Sequence, residues 1–237
     1  MAEDYSKACL TTPVAITGKY EGKGQWVKIG GMKACMSPAS ICRMGRMSNA
    51  DLDATGLPNA KKGILFIYDI FGYTPQTIQG ADILANESYF VVMPDFFEGK
   101  PASLDWHPTD TDEKKAKMQN FFVEVAAPQK TVSKVSSVMS ALKSGHPSIA
   151  SWSVIGYCWG AKIVALTSRE GTPFKAAVQT SPALVDPNDA SEIVIPMAML
   201  ASKEEDPEAV KAFGENLKGP KLVEIFGDQV HGWMSAW

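Results

Sequence analysis

The sequence predicts an α/β fold, a mostly parallel sheet with helices on both faces, built as a single domain. Three observations carry this reading. Short apolar runs at 64–68, 90–93, 152–155, 175–179, 193–201 and 221–226 have the length and character of buried strands. Segments of helical composition separate them, as βαβ units require. At 156–160 a Gly-Tyr-Cys-Trp-Gly turn joins a strand to a helix directly. With 237 residues, 45% of them hydrophobic and 21% charged, the chain has the ordinary composition of a globular protein with one sizeable core.

Taken in order, residues 1–24 are polar, contain Pro13, and read as an irregular N-terminal arm, leaving 25–237 as the domain. Gln25 to Met36 alternates apolar and polar residues around Gly30-Gly31, a hairpin signal. Residues 37–62 collect Pro38, Gly45, Asn49, Asp51, Asp53, Gly56 and Pro58, and predict a long loop with at most a short helical piece. The strand at 64–68 ends on Asp69-Ile70-Phe71-Gly72, and Pro75 opens a helix through Asn86. A strand at 90–93 leads into the loop Pro94-Asp95-Phe96-Phe97-Glu98-Gly99-Lys100-Pro101, at a carboxyl strand end where open α/β sheets bind ligands. The stretch 112–143 divides into two helices at Pro128. After the central turn come strands at 175–179 and 193–201, a helix from Pro207 to Leu217 and a last strand from Lys221 to Phe226. No internal repeat or low-complexity segment interrupts this order.

Composition excludes several classes of function. A net charge of −3 and a pI near 5.7, without a basic run, argue against a nucleic-acid partner. The acidic start lacks the pattern of a signal peptide, and no apolar run approaches membrane-spanning length, so a cytoplasmic protein with no membrane partner is expected. Cys9, Cys35, Cys42 and Cys158 form no C-x-x-C pair and no zinc-spaced cluster with His107, His146 or His231. Reduced thiols and no metal site are therefore expected.

Residues 151–169 carry the chemistry. Trp152 to Ile155 is apolar, Cys158 stands at the apex of the turn, and Ile163, Val164 and Leu166 continue with helical spacing. This is the nucleophile elbow of an α/β-hydrolase, with Cys where most such enzymes have Ser. The glycines two before and two after the apex let strand and helix approach closely, and the helix N-terminus favours the thiolate.

A cysteine nucleophile needs a base, and the base an orienting acid, in the chain order nucleophile, acid, histidine. His231, just past the last strand, is the one histidine after Cys158. Ser202-Lys203-Glu204-Glu205-Asp206-Pro207, after the preceding strand, offers three acids. Asp206 is favoured as the orienting group, although an Asp before a helix-opening Pro is also a common cap. Glu204 and Glu205 otherwise read as a solvated turn. Oxyanion donors are expected at the backbone N–H groups of Trp159 and Ile70. Asp69, a carboxylate ending a buried strand, either caps the next helix region or sits beside the thiol and influences its ionisation.

Tyr68-Asp69-Ile70-Phe71-Gly72, Val92-Met93-Pro94-Asp95-Phe96-Phe97, Gly156-Tyr157-Cys158-Trp159-Gly160, Glu205-Asp206 and His231-Gly232-Trp233 occur together and in order. In this the chain resembles the dienelactone hydrolase family of α/β-hydrolases, in particular its fungal-type members, from about Trp26 to Trp233. The resemblance implies a triad of Cys158, His231 and Asp206, oxyanion donors at Ile70 and Trp159, and a thiol-activating acid at Asp69. It implies hydrolysis of an enol lactone or small ester without a cofactor; a monomer or homodimer is expected.

Two departures from the family pattern stand out. Bacterial members acting on dienelactone grip its carboxylate with two arginines. Here the corresponding regions offer only Lys100, a possible substrate-binding residue, and Ser235. The chain also stops at Trp237, where the family usually continues into a C-terminal helix, so an exposed apolar face is expected. The expectation is a cysteine hydrolase of small esters or lactones. The alternative is a catalytically inactive relative that binds a small ligand or a protein partner.

Overall fold

In the computed structural model of the chain, Leu10, residues 19–37 and residues 60–235 are described. The expectations for most of the N-terminal arm and most of the 37–62 loop, and for Cys9 and Cys42, lie outside them. Eight strands form one sheet: β1 (Gln25–Ile29), β2 (Met32–Ser37), β3 (Lys62–Ile67), β4 (Phe90–Pro94), β5 (Ser151–Tyr157), β6 (Ala177–Thr180), β7 (Met197–Ser202) and β8 (Lys221–Phe226). Their spatial order is β1-β2-β4-β3-β5-β6-β7-β8. β1 and β2 form the expected hairpin, with Gly30 and Gly31 at φ 57° and 84°, and β2 runs antiparallel to β4. Every other pairing is parallel.

The helices are α1 (Pro75–Asn86), α2 (Asp112–Glu124), α3 (Pro128–Gly145), α4 (Trp159–Thr167), α5 (Pro187–Glu192) and α6 (Pro207–Asn216). α1, α5 and α6 each open with a side-chain cap followed by Pro, the caps being Thr74, Asp186 and Asp206. α1 carries the chain from β3 toward the β1 edge, whereas α3 to α6 serve connections running toward β8, and with the right-handed crossovers usual for parallel strands these two directions put helices on opposite faces. The sheet is parallel and covered, so the central strands are apolar throughout; Leu65, Phe66, Ile67 and Val92 are fully buried.

Three differences from the sequence reading have local causes. β7 begins at Met197 rather than 193 because Pro196 has no N–H for the ladder, although its carbonyl still accepts from Ala177 N–H. β6 begins at Ala177 rather than 175. α5 escaped detection since its six residues, Pro-Asn-Asp-Ala-Ser-Glu, carry no apolar period. The break at Pro128 and the bounds of α1 match the expectation.

β8 pairs on one side only, and Leu222 and Ile225 are 54% and 40% exposed. Val223 packs toward Gly214 of α6, so alternation turns Leu222 to the other face of the sheet. Among the described residues no helix is long and apolar enough to cross a membrane.

Candidate active site

The carboxyl ends of β3, β5, β6, β7 and β8 lie along one edge of the sheet, and most of the candidate site residues sit directly after one of them. Cys158 follows β5, Asp69 and Ile70 follow β3, Glu205 follows β7 and His231 follows β8. Parallel topology does this work: strands that all point one way deliver all their following loops to one place.

Cys158 is the apex of the elbow. Its φ of 52° and ψ of −112° put a non-glycine residue in a sparsely populated, strained region. Neighbouring backbone holds it there. Its N–H donates to the Thr180 carbonyl, and its carbonyl accepts from Ala161 and Ala183 N–H. The flanking glycines are required by contact with backbone. A Cβ on Gly160 would clash with the Ile67 carbonyl oxygen, and one on Gly156 with the Gly160 carbonyl. Trp159 is the first residue of α4, so its N–H belongs to the helix-terminal donors that have no intrahelical acceptor. Its indole N–H donates to the Ala126 carbonyl at 2.8 Å and its ring packs on Phe97 with centroids 4.6 Å apart.

The turn after β3 is held from both ends. Asp69 is fully buried, and its Oδ1 accepts from Phe71 N–H at 2.8 Å. The Ile70 carbonyl accepts from Ala102 N–H, which orients the peptide planes of this turn. Asp69 thus ties the turn itself rather than capping the next helix, whose N-cap is Thr74. It also acts at a distance: burial pushes the Tyr157 phenol well above its usual range, and the Asp69 carboxylate adds to the shift. Tyr68, immediately before it, donates to Asp95 Oδ1 at 3.2 Å and accepts from Phe97 N–H at 3.1 Å, anchoring the loop after β4.

For the acid, the structure corrects the expectation. Asp206 is the N-cap of α6: its Oδ1 accepts from Glu208 N–H at 3.0 Å, and its side chain is exposed. The carboxylate on His231 is Glu205, with Oε1 2.6 Å from Nδ1. Both side chains are buried. The physical reason is the helix start. An Asp before Pro207 is in the right backbone conformation to cap, which turns its side chain along the helix axis, while the residue before it points back to the sheet edge. Glu205 is further held by Ser202, whose backbone N–H donates to Oε2 and whose hydroxyl donates to Oε1 at 3.2 Å. An ionised carboxylate only accepts, so with Glu205 ionised Nδ1–H is the donor of this bond. Glu204 is not a solvated turn residue either; its Oε2 accepts from His231 backbone N–H at 2.7 Å.

Burial is common to the whole group: Asp69, Ile70, Cys158, Trp159 and His231 have no exposed surface in this conformation. Comparison with known proteins points to one family. The dienelactone hydrolase family profile matches residues 54–234. The chain belongs to the dienelactone hydrolase family. Among curated relatives of this dienelactone hydrolase family member, an uncharacterized AIM2 family protein of Schizosaccharomyces pombe is 33% identical over 173 residues, covering 71% of this chain and 69% of the relative. The human carboxymethylenebutenolidase homolog is 21% identical over 224 residues, covering 91% and 81%. Among solved structures, a dienelactone hydrolase from Anabaena variabilis superposes with a TM-score of 0.59 at 12% identity, covering 90% of this chain and 89% of its own. The Pyrococcus furiosus esterase Pf2001 gives 0.56 at 15%, covering 94% and 91%. The chain shares the α/β-hydrolase fold of these solved structures, and the family supports a hydrolase.

The remaining expected residues fall outside this constellation. Lys100 is exposed in the loop after β4. Ser235 is buried, with its hydroxyl donating to the Gly232 carbonyl at 3.2 Å. His107 packs edge-on to Phe71 and His146 lies against Phe90. Cys35 is a buried free thiol, pushed up to about 11 by burial and then by the Asp82 carboxylate.

Proposed function

We propose that the chain hydrolyses small neutral carboxylic esters or lactones, with Cys158 as nucleophile, His231 as base and acid, and Glu205 as the group that orients His231. The observation that carries the reading is the 2.6 Å pair of His231 Nδ1 and Glu205 Oε1, at the same sheet edge as a strained elbow cysteine. A buried imidazole with its tautomer set by a buried carboxylate is what a thiol nucleophile needs.

In this scheme Nε2 takes the Cys158 proton, and the thiolate sulfur forms a bond to the ester carbonyl carbon. The carbonyl oxygen becomes an oxyanion, stabilised by the N–H groups of Ile70 and Trp159, each worth about 3 kcal/mol in barrier height. Collapse breaks the bond to the leaving oxygen, which receives the proton from His231. Water, deprotonated by His231, then attacks the thioester. The products are the carboxylic acid, the alcohol and the restored thiol; a lactone gives a hydroxy acid, and an enol lactone a keto acid. Every step uses side chains and water, with no cofactor.

Charge supports a neutral substrate. Asp69, Asp95, Glu204 and Glu205 surround this edge, and the family's two carboxylate-gripping positions hold exposed Lys100 and inward-turned Ser235. Low dielectric strengthens the repulsion an anionic substrate would meet.

The test is intact-protein mass spectrometry after brief exposure to p-nitrophenyl acetate. An acetyl adduct that maps to Cys158 and is missing from Cys158→Ala is expected. Equal turnover by the two proteins would overturn the reading, and a protein that binds apolar ligands without acylation would take its place.

A further inference from the structure

We propose that Glu204 is a positioning residue for this reaction, acting on the main chain of His231 while Glu205 acts on its ring. The inference rests on the reading of His231 as the catalytic base. Its starting point is a mechanical weakness in the fold. His231 hangs from β8, which among the described residues is an edge strand paired with β7 alone, and whose residues are exposed or half-buried along its whole length. Edge strands and the loops after them are the easily opened parts of a sheet. A base that must hold its geometry to a fraction of an ångström needs more than such a strand supplies.

The loop after β7 supplies it. Lys203 N–H donates to the Gln229 carbonyl at 3.2 Å, and Glu204 Oε2 accepts from His231 N–H at 2.7 Å. The two glutamates are themselves tied through one hydroxyl: Ser202 Oγ accepts from Glu204 N–H at 3.2 Å and donates to Glu205 Oε1 at 3.2 Å. Main chain and ring of the histidine are therefore referred to the same point at the end of β7, a strand paired on both sides. An N–H bonded to a carboxylate is among the stronger hydrogen bonds, so the clamp is stiff. Glu205 alone would fix where the ring nitrogen lies without fixing the backbone it hangs from.

The experiment compares Glu204→Ala and Glu204→Gln with the unmodified protein in p-nitrophenyl acetate turnover, alongside urea unfolding and hydrogen exchange at the His231 amide. Gln keeps an acceptor oxygen for the His231 N–H; Ala does not. Expected are a fall in kcat of roughly 10- to 100-fold for Glu204→Ala with KM within about twofold, faster exchange at His231, and recovery to within about threefold of the unmodified kcat in Glu204→Gln. A Glu204→Ala protein with unchanged kcat would overturn the positioning role and leave the proposed function standing. So would a Glu204→Gln protein that loses as much activity as Glu204→Ala. If the unmodified protein and Cys158→Ala turn over equally, the functional reading itself fails, and the role of Glu204 falls with it.

Discussion

His231 Nδ1 lies 2.6 Å from Oε1 of Glu205, and the next carboxylate along the chain, that of Asp206, is spent on capping α6. Two adjacent acids have thus been sorted by the backbone. One closes a helix end in solvent; the other is buried against the imidazole.

That sorting predicts opposite outcomes for two neighbouring substitutions. Glu205→Gln should lower kcat for p-nitrophenyl acetate by roughly 10²- to 10⁴-fold, the range for disturbing the tautomer and orientation of a catalytic histidine. Asp206→Ala should leave kcat within about twofold and cost about 1 kcal/mol of stability through the lost cap. Steady-state kinetics and urea unfolding read both. Loss of activity in Asp206→Ala at unchanged stability would restore Asp206 to the triad.

Gly160 predicts a stability effect that no side-chain contact would reveal. A Cβ there clashes with the Ile67 and Tyr68 carbonyl oxygens, and neither backbone atom can rotate away. Gly160→Ala should destabilise the fold by about 3 kcal/mol or more, seen as a lower urea midpoint. Ester turnover should fall with it, because the same contact seats α4 and hence the Trp159 N–H. A Gly160→Ala protein with unchanged midpoint and turnover would contradict this account of the elbow.

Cys35 predicts a pH dependence. Its thiol is pushed up to about 11, first by burial and then by Asp82. Folding favours the protonated thiol, so this contribution to stability is fully present below the ordinary thiol pKa and is lost as pH rises through about 11. At pH 8 about one Cys35 in a thousand is thiolate. Iodoacetamide labelling of Cys35, followed by peptide mapping, should therefore be slow at pH 8 and accelerate about tenfold per pH unit toward 11. Labelling that levels off near pH 9 would show an ordinary thiol.

Much of this protein could be read from local sequence, because its strands and helices are specified by signals a few residues long. Thr74-Pro75 starts α1, Pro128 splits α2 from α3, and Gly30-Gly31 turns the hairpin. The elbow was legible for the same reason: Gly156 and Gly160 are demanded by backbone packing within one strand-turn-helix unit. α5 was not, since six residues with one buried alanine leave no period to detect. The Asp186-Pro187 cap signature was the signal that could have found it.

The orienting acid stood at the boundary between the two kinds of information. Asp206-Pro207 is a helix-start signature, and giving it full weight would have assigned Asp206 to the cap and turned attention to Glu205. By itself the sequence determined the kinds of group available: one elbow thiol, one histidine after it and three candidate acids. Only the tertiary structure decided which acid meets the histidine, and that Glu204 holds its main chain. Those choices depend on how the loops after β7 and β8 pack against each other, across a separation of 26 or 27 residues in the chain. A hydrogen bond is set by position and direction in space, and no local pattern in the sequence encodes either at that range.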